Sequence, residues 1–75
     1  MLILYSRRGC HLCEILLEEL ETTCRGHEFE VVDVDSAPAL AARYGVRVPV
    51  LVADGAELCT GQLDYVALAA YLRRC

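Results

Sequence analysis

Leu2-Ile3-Leu4-Tyr5-Ser6-Arg7-Arg8-Gly9-Cys10-His11-Leu12-Cys13 is the stretch on which the fold turns. Its apolar opening, closed by Ser6-Arg7-Arg8-Gly9, reads as a short buried strand followed by a turn. Beyond it, from His11 to Cys24, Leu12, Ile15, Leu16 and Leu20 recur at helical spacing, while Glu14, Glu18, Glu19 and Glu21 take the other side. Arg25-Gly26 then supplies a basic last turn and a glycine stop. The two cysteines, three residues apart, therefore fall where a strand hands over to a helix.

Working outward, Glu28 to Asp35 holds Phe29, Val31, Val32 and Val34, a β-prone run too short for a helix. Asp35 or Ser36 is the expected cap of a two-turn helix with Pro38 in its first turn and Gly45 at its close. Val48 to Ala53 reads as a third strand with Pro49 near its start. Asp54-Gly55 is the signal for a tight hairpin, and Ala56 to Thr60 returns antiparallel. Leu63, Val66, Ala67, Ala70 and Tyr71 predict a last helix, with Arg73-Arg74 at its cation-favouring end. The order is βαβαββα, an α/β fold with a four-stranded mixed sheet and helices on both faces. A right-handed crossover would set the first two strands side by side in parallel.

Length fixes the organisation as one domain over residues 1–75, and 56% hydrophobic with 24% charged residues is the composition of a packed globular chain. Seven arginines and no lysine stand against eleven carboxylates, a net charge of -4 that disfavours a nucleic-acid backbone. No apolar run approaches the ~18 residues of a membrane span. The short Met1-Leu2-Ile3-Leu4 run has its charges, Arg7 and Arg8, on the wrong side for a secretion signal. Five cysteines, an odd number without such a signal, argue for reduced thiols and a cytoplasmic protein, expected as a monomer.

Cys10-His11-Leu12-Cys13 carries the chemistry. Residues at i and i+3 share a helix face, so two sulfurs so placed meet with little backbone movement. The loop they close is small and adds little stability, which favours switching between dithiol and disulfide. Thiol exchange needs a thiolate, and a free cysteine with a pKa near ~8.5 is mostly protonated at neutral pH. Cys10 stands at a helix N-terminus, and Arg7, Arg8 and His11 add positive charge nearby, so its pKa is expected to fall. Cys13, one turn further in, is expected to stay a thiol and to resolve the mixed disulfide that Cys10 forms.

In Cys10-His11-Leu12-Cys13 after a strand, Tyr44-Gly45-Val46-Arg47-Val48-Pro49, Asp54-Gly55 and Thr60-Gly61 through Asp64, the chain resembles glutaredoxin-like members of the thioredoxin superfamily over essentially its whole length. The resemblance implies a minimal thioredoxin fold in which Pro49 is cis and faces the cysteines, and in which the Val48 backbone pairs with substrate. It implies a thiol-disulfide oxidoreductase or electron carrier with no bound cofactor. Its substrate would be a disulfide-containing protein or a low-molecular-weight thiol, and its electrons would come from glutathione or a thioredoxin reductase. Gly61 and Asp64 would hold glutathione near the last helix, and Arg7, Arg8 or Arg47 would receive its glycine carboxylate. Two positions depart from the usual pattern. His11-Leu12 replaces the Pro-Tyr pair or its like, and Leu63 stands where a polar contact with the glutamyl end is expected.

Other readings of the same residues remain open. Cys10 and Cys13 also have the spacing of half a zinc site, or of an iron–sulfur or other soft-metal module sharing ligands across a dimer. A third reading keeps the fold as an interaction domain without redox chemistry. Cys24 and Cys59 read as small buried hydrophobes, Cys75 as an exposed terminal thiol and His27 as part of a solvated turn. The helix-one acids read as a solvated face, and Asp64 as a helix-start residue as well as a ligand candidate.

Overall fold

The computed structural model describes residues 1–26 and 28–73, so the expectations for His27, Arg74 and Cys75 lie outside the described residues. The elements are β1 (Leu2–Ser6), α1 (His11–Thr23), β2 (Phe29–Asp33), a 3₁₀ turn (Val34–Ser36), α2 (Pro38–Tyr44), β3 (Val50–Ala53), β4 (Ala56–Thr60) and α3 (Tyr65–Arg73). The strands form one sheet in the order β2-β1-β3-β4. β1 pairs with β2 in parallel, Leu4 opposite Val31, as the crossover through α1 requires. It pairs with β3 antiparallel, Leu4 opposite Leu51 and Tyr5 opposite Val50. The α/β architecture and its order are those the sequence predicts.

Strand alternation sorts the core into two layers. Leu2, Leu4, Leu51 and Ala53 face one side and pack with Leu16, Leu20 and Cys24 of the α1 segment and with Leu63 and Leu68 of the α3 segment. Val50 and Val52 face the other side, with Val34, Tyr44 and the half-buried Tyr5. There the Tyr5 and Tyr44 rings stack at 4.2 Å and 17°. Helices thus cover both faces, α1 and α3 on one and α2 on the other.

Several boundaries and faces differ from expectation for local reasons. β2 ends at Asp33 because its carboxylate accepts the Asp35 N–H at 2.9 Å and turns the chain into the 3₁₀ turn. Ala37 is the N-cap of α2, where Asp35 or Ser36 was expected, and Pro38 opens the helix. β3 begins at Val50, since Pro49 has no N–H to give a ladder. α1 is rotated from the face its periodicity suggests: it buries Cys13, Leu16 and Leu20, leaving Leu12 49% and Ile15 39% exposed. α3 likewise anchors through Leu68 and leaves Val66 exposed. The Asp54-Gly55 hairpin is as expected, both residues at positive φ (49° and 86°), as a type I′ turn demands.

Candidate active site

The sheet register gathers the candidate residues at one end. Ser6 leaves β1 toward Cys10 at the end where Val50 begins β3 and Thr60 ends β4. The residues before Val50 and after Thr60 therefore lie at the same end of the sheet as the turn into α1. The Gly61 N–H closes this end by donating to the Pro49 carbonyl at 2.9 Å. Gly61 sits at φ +77°, a left-handed conformation that a side chain would strain. The Val48–Pro49 bond is cis, as the resemblance implies. Among the described residues no hydrogen bond engages the Val48 N–H or carbonyl.

Cys10 is the N-cap of α1, with extended backbone (φ -87°, ψ 107°) and a sulfur that accepts the Cys13 N–H at 3.2 Å. Its own N–H donates to the Arg7 carbonyl at 3.3 Å and its carbonyl accepts the Glu14 N–H at 3.2 Å, fixing the turn on both sides. Cys10 and Cys13 are paired as a disulfide, with Cα atoms 5.2 Å apart. Cys10 is half-buried and Cys13 buried. A sulfur that takes a helix-start N–H is stabilised as an anion by that bond and by the helix dipole.

The expected cations are placed differently from one another. Arg7 is clamped: its Nε and Nη2 each donate to the Asp35 carboxylate at 3.0 Å, and Nη1 donates to the Gly45 carbonyl at 3.0 Å. The bond to Asp35 raises its pKa further. Its charge is matched there, and its structural effect is to tie the turn before Cys10 to α2 on the opposite face of the sheet. Gly45 makes this possible, because a Cβ would lie 2.4 Å from the Ala41 carbonyl oxygen and 2.8 Å from Arg7 Nη2. Arg8 is exposed beside a groove that Cys13, Glu14 and Asp33 also line. His11 is exposed, with Nδ1 3.9 Å from Glu14.

Arg47 is engaged on β4, donating twice to Glu57 at 2.7 and 3.0 Å and once to the Arg43 carbonyl at 3.1 Å. That pairing holds the Glu57 carboxyl below its ordinary value. Asp64 caps α3, its Oδ1 accepting the Ala67 N–H at 3.0 Å. Cys24 is buried and Cys59 half-buried, and burial pushes both thiols up. Among the described residues no group of three His, Cys, Asp or Glu side chains is arranged to hold a metal ion. No helix among them is long and apolar enough to cross a membrane.

Asp35 and Gly45 are the residues that sequence reasoning missed as supports of the site. Asp35 was read as a helix cap, and nothing local to it signals a partner 28 residues away. Gly45 was read as a stop signal, although its backbone is αR and its need for no side chain comes from Arg7 and Ala41.

The glutaredoxin-like domain family (DUF836) matches this chain over residues 1–73. The uncharacterised protein Rv0508 of Mycobacterium tuberculosis is 33% identical over 78 residues, covering 95% of this chain and 80% of the relative. The crystal structure of XcR50 from Xanthomonas campestris superposes with a TM-score of 0.76 at 37% identity, covering all of this chain and 99% of the other. Glutaredoxin C1 from a Populus hybrid shares the fold at a TM-score of 0.59 and 17% identity, over 97% of this chain and 74% of its own. With a strand-to-helix CxxC pair, a thioredoxin-like fold and a family match along nearly its full length, the chain belongs to the glutaredoxin-like domain family.

Proposed function

We propose that this chain is a thiol-disulfide oxidoreductase in which Cys10 attacks and Cys13 resolves. The observation that carries the reading is the Cys10 sulfur at the N-cap of α1, accepting the Cys13 N–H while paired to the Cys13 sulfur. In the reduced protein the Cys10 thiolate attacks one sulfur of a substrate disulfide. A Cys10–substrate disulfide forms as the substrate bond breaks, and the expelled sulfur leaves as a thiolate. The Cys13 thiol loses its proton and attacks the Cys10 sulfur, which closes the internal disulfide and releases the reduced substrate. Two electrons pass to the substrate, and a thiol donor returns them to the chain.

The open Val48 backbone at the same end of the sheet is the proposed docking edge, with Pro49, Gly61 and Asp64 bordering it. Arg8 and His11 are the exposed groups that carry positive charge or a proton near the incoming disulfide. Arg7 and Arg47, each held by a carboxylate, support the walls. The substrate is a disulfide-bearing protein or a small thiol compound, and the donor is glutathione or a thioredoxin reductase. The protein acts in the cytoplasm as a monomer.

Substitution Cys13→Ser should trap a mixed disulfide on Cys10, detected by mass spectrometry, and Cys10→Ser should abolish exchange. Exchange that survives Cys10→Ser overturns the reading. Turnover measured separately with each donor assigns the electron source.

A further inference from the structure

Beside the tip that carries Cys10 runs a groove between α1 and the start of α3, lined by Leu12, Ile15, Gly61, Leu63 and Tyr65 with one uncharged polar side chain, Gln62. Leu12 and Ile15 are the apolar residues that α1 leaves outside the core, and Tyr65 is 51% exposed. The far end is marked by Glu19, whose carboxylate takes the Tyr65 hydroxyl. Among the described residues lining the groove Glu19 is the one charged side chain, and none is cationic. An apolar trough with an acidic end disfavours a ligand carrying more carboxylates than ammonium groups, as glutathione does, and favours an apolar side chain followed by a cation.

Resting on the oxidoreductase reading and narrowing its substrate class, we propose that this groove receives a partner protein's extended segment flanking its redox cysteine, with an apolar side chain near that cysteine and a basic one beyond it. The dimensions set the spacing. Ile15 is five residues along the chain from Cys10, about 7.5 Å at the helical rise, and Glu19 is nine, about 13 Å. An extended peptide advances about 3.3 Å per residue. The apolar side chain thus falls about two residues from the substrate cysteine and the cation about four.

The test uses single-turnover reactions of the full chain carrying Cys13→Ser. Probes are mixed disulfides with thionitrobenzoate: a peptide with Leu two and Arg four residues from its cysteine, its Glu-for-Arg counterpart, glutathione and 2-mercaptoethanol. The peptide is made in both chain directions. Cys10 attack on the probe sulfur forms the Cys10–probe disulfide and expels the coloured thiolate, so no reductant is consumed. Rates are normalised to the 2-mercaptoethanol probe, which removes the intrinsic reactivity of Cys10. In at least one direction the Leu/Arg peptide should exceed glutathione by about tenfold or more, the scale of one well-placed apolar contact. Adding Ile15→Arg should shrink that ratio and raise the glutathione rate, and Glu19→Gln should narrow the gap between the Arg and Glu peptides. A normalised glutathione rate equal to or above that of the Leu/Arg peptide in both directions overturns the inference.

A second measurement is independent of sulfur chemistry. The Cys10→Ser/Cys13→Ser variant, titrated with a serine version of the Leu/Arg peptide, should show amide shifts at Leu12, Ile15, Leu63 and Tyr65. Shifts absent or located elsewhere overturn the inference. No reaction of any probe, with these shifts present, overturns the oxidoreductase reading alone.

Discussion

Ionising Cys10 in the reduced protein should stabilise the fold, because its sulfur then caps α1 as an anion against the Cys13 N–H. The perturbation is a pair of variants, Cys13→Ser and Cys10→Ser/Cys13→Ser, compared across pH. Serine also accepts at an N-cap, so the helix keeps a cap in both. Cys24 and Cys59 are common to both; burial raises their pKa, which costs stability only as pH climbs past the ordinary thiol range, and their effects cancel in the difference. For Cys10 the folded pKa is expected below the unfolded value of ~8.5. The stabilisation is then complete above that value, declines as pH falls toward the folded pKa, and is lost below it. Between the two pKa values the difference grows by about 1.4 kcal/mol per pH unit. For 75 residues the unfolding entropy is about 160 cal/mol/K, so this slope corresponds to about 9 °C in Tm per pH unit. Thermal unfolding followed by circular dichroism from acid to mildly alkaline pH, in a phosphine reductant, gives the two curves. A difference that stays flat across that range refutes the anionic cap and, with it, the reason for assigning attack to Cys10.

Three further outcomes are expected. Gly45→Ala, at the αR C-cap of α2, gains about 0.4–1 kcal/mol by restricting the unfolded chain but sets a Cβ 2.4 Å from a backbone oxygen, and overpacking of that kind costs about 1–3 kcal/mol. Urea unfolding should therefore show a net loss, and the loss caused by Gly45→Ala should be smaller in an Arg7→Met background, where the 2.8 Å contact is gone, than in the unsubstituted chain. Asp64→Ala removes the cap of α3 and should cost about 1 kcal/mol by the same measurement, with Asp64→Asn retaining most of the stability. In the reduced protein at neutral pH, iodoacetamide should label Cys10 more than about tenfold faster than Cys24 or Cys59, because burial suppresses their thiolates; peptide mass spectrometry reads the order.

The parts of the fold legible in the sequence are those written in local chemistry. The apolar Leu2–Tyr5 run, the Asp54-Gly55 turn and the Cys10 position at a helix start each need only neighbouring residues to be read. Periodicity located α1 and α3 but misjudged which side faces in. Leu12, Ile15 and Val66 fit an apolar stripe, yet a helix on a short sheet buries only the width its strands offer. The supports of the site were hidden for a different reason. Arg7 is matched by Asp35 and the Gly45 carbonyl, 28 and 38 residues away, and Arg47 by Glu57 across to β4. A charge read from the sequence as a free acidifier of Cys10 is, at Arg7, already spent on a carboxylate. The cis state of Pro49 followed from family resemblance and from no residue-level signal.

The strand register also gives the molecule a quiet pole. Ala53 pairs with Leu2, so the Asp54-Gly55 hairpin caps the sheet at the opposite end from the sulfurs, and both of its residues are exposed. A dye, an affinity handle or a surface linkage introduced at that bend would hold the protein with its reactive end outward, leaving the approach of a partner unobstructed.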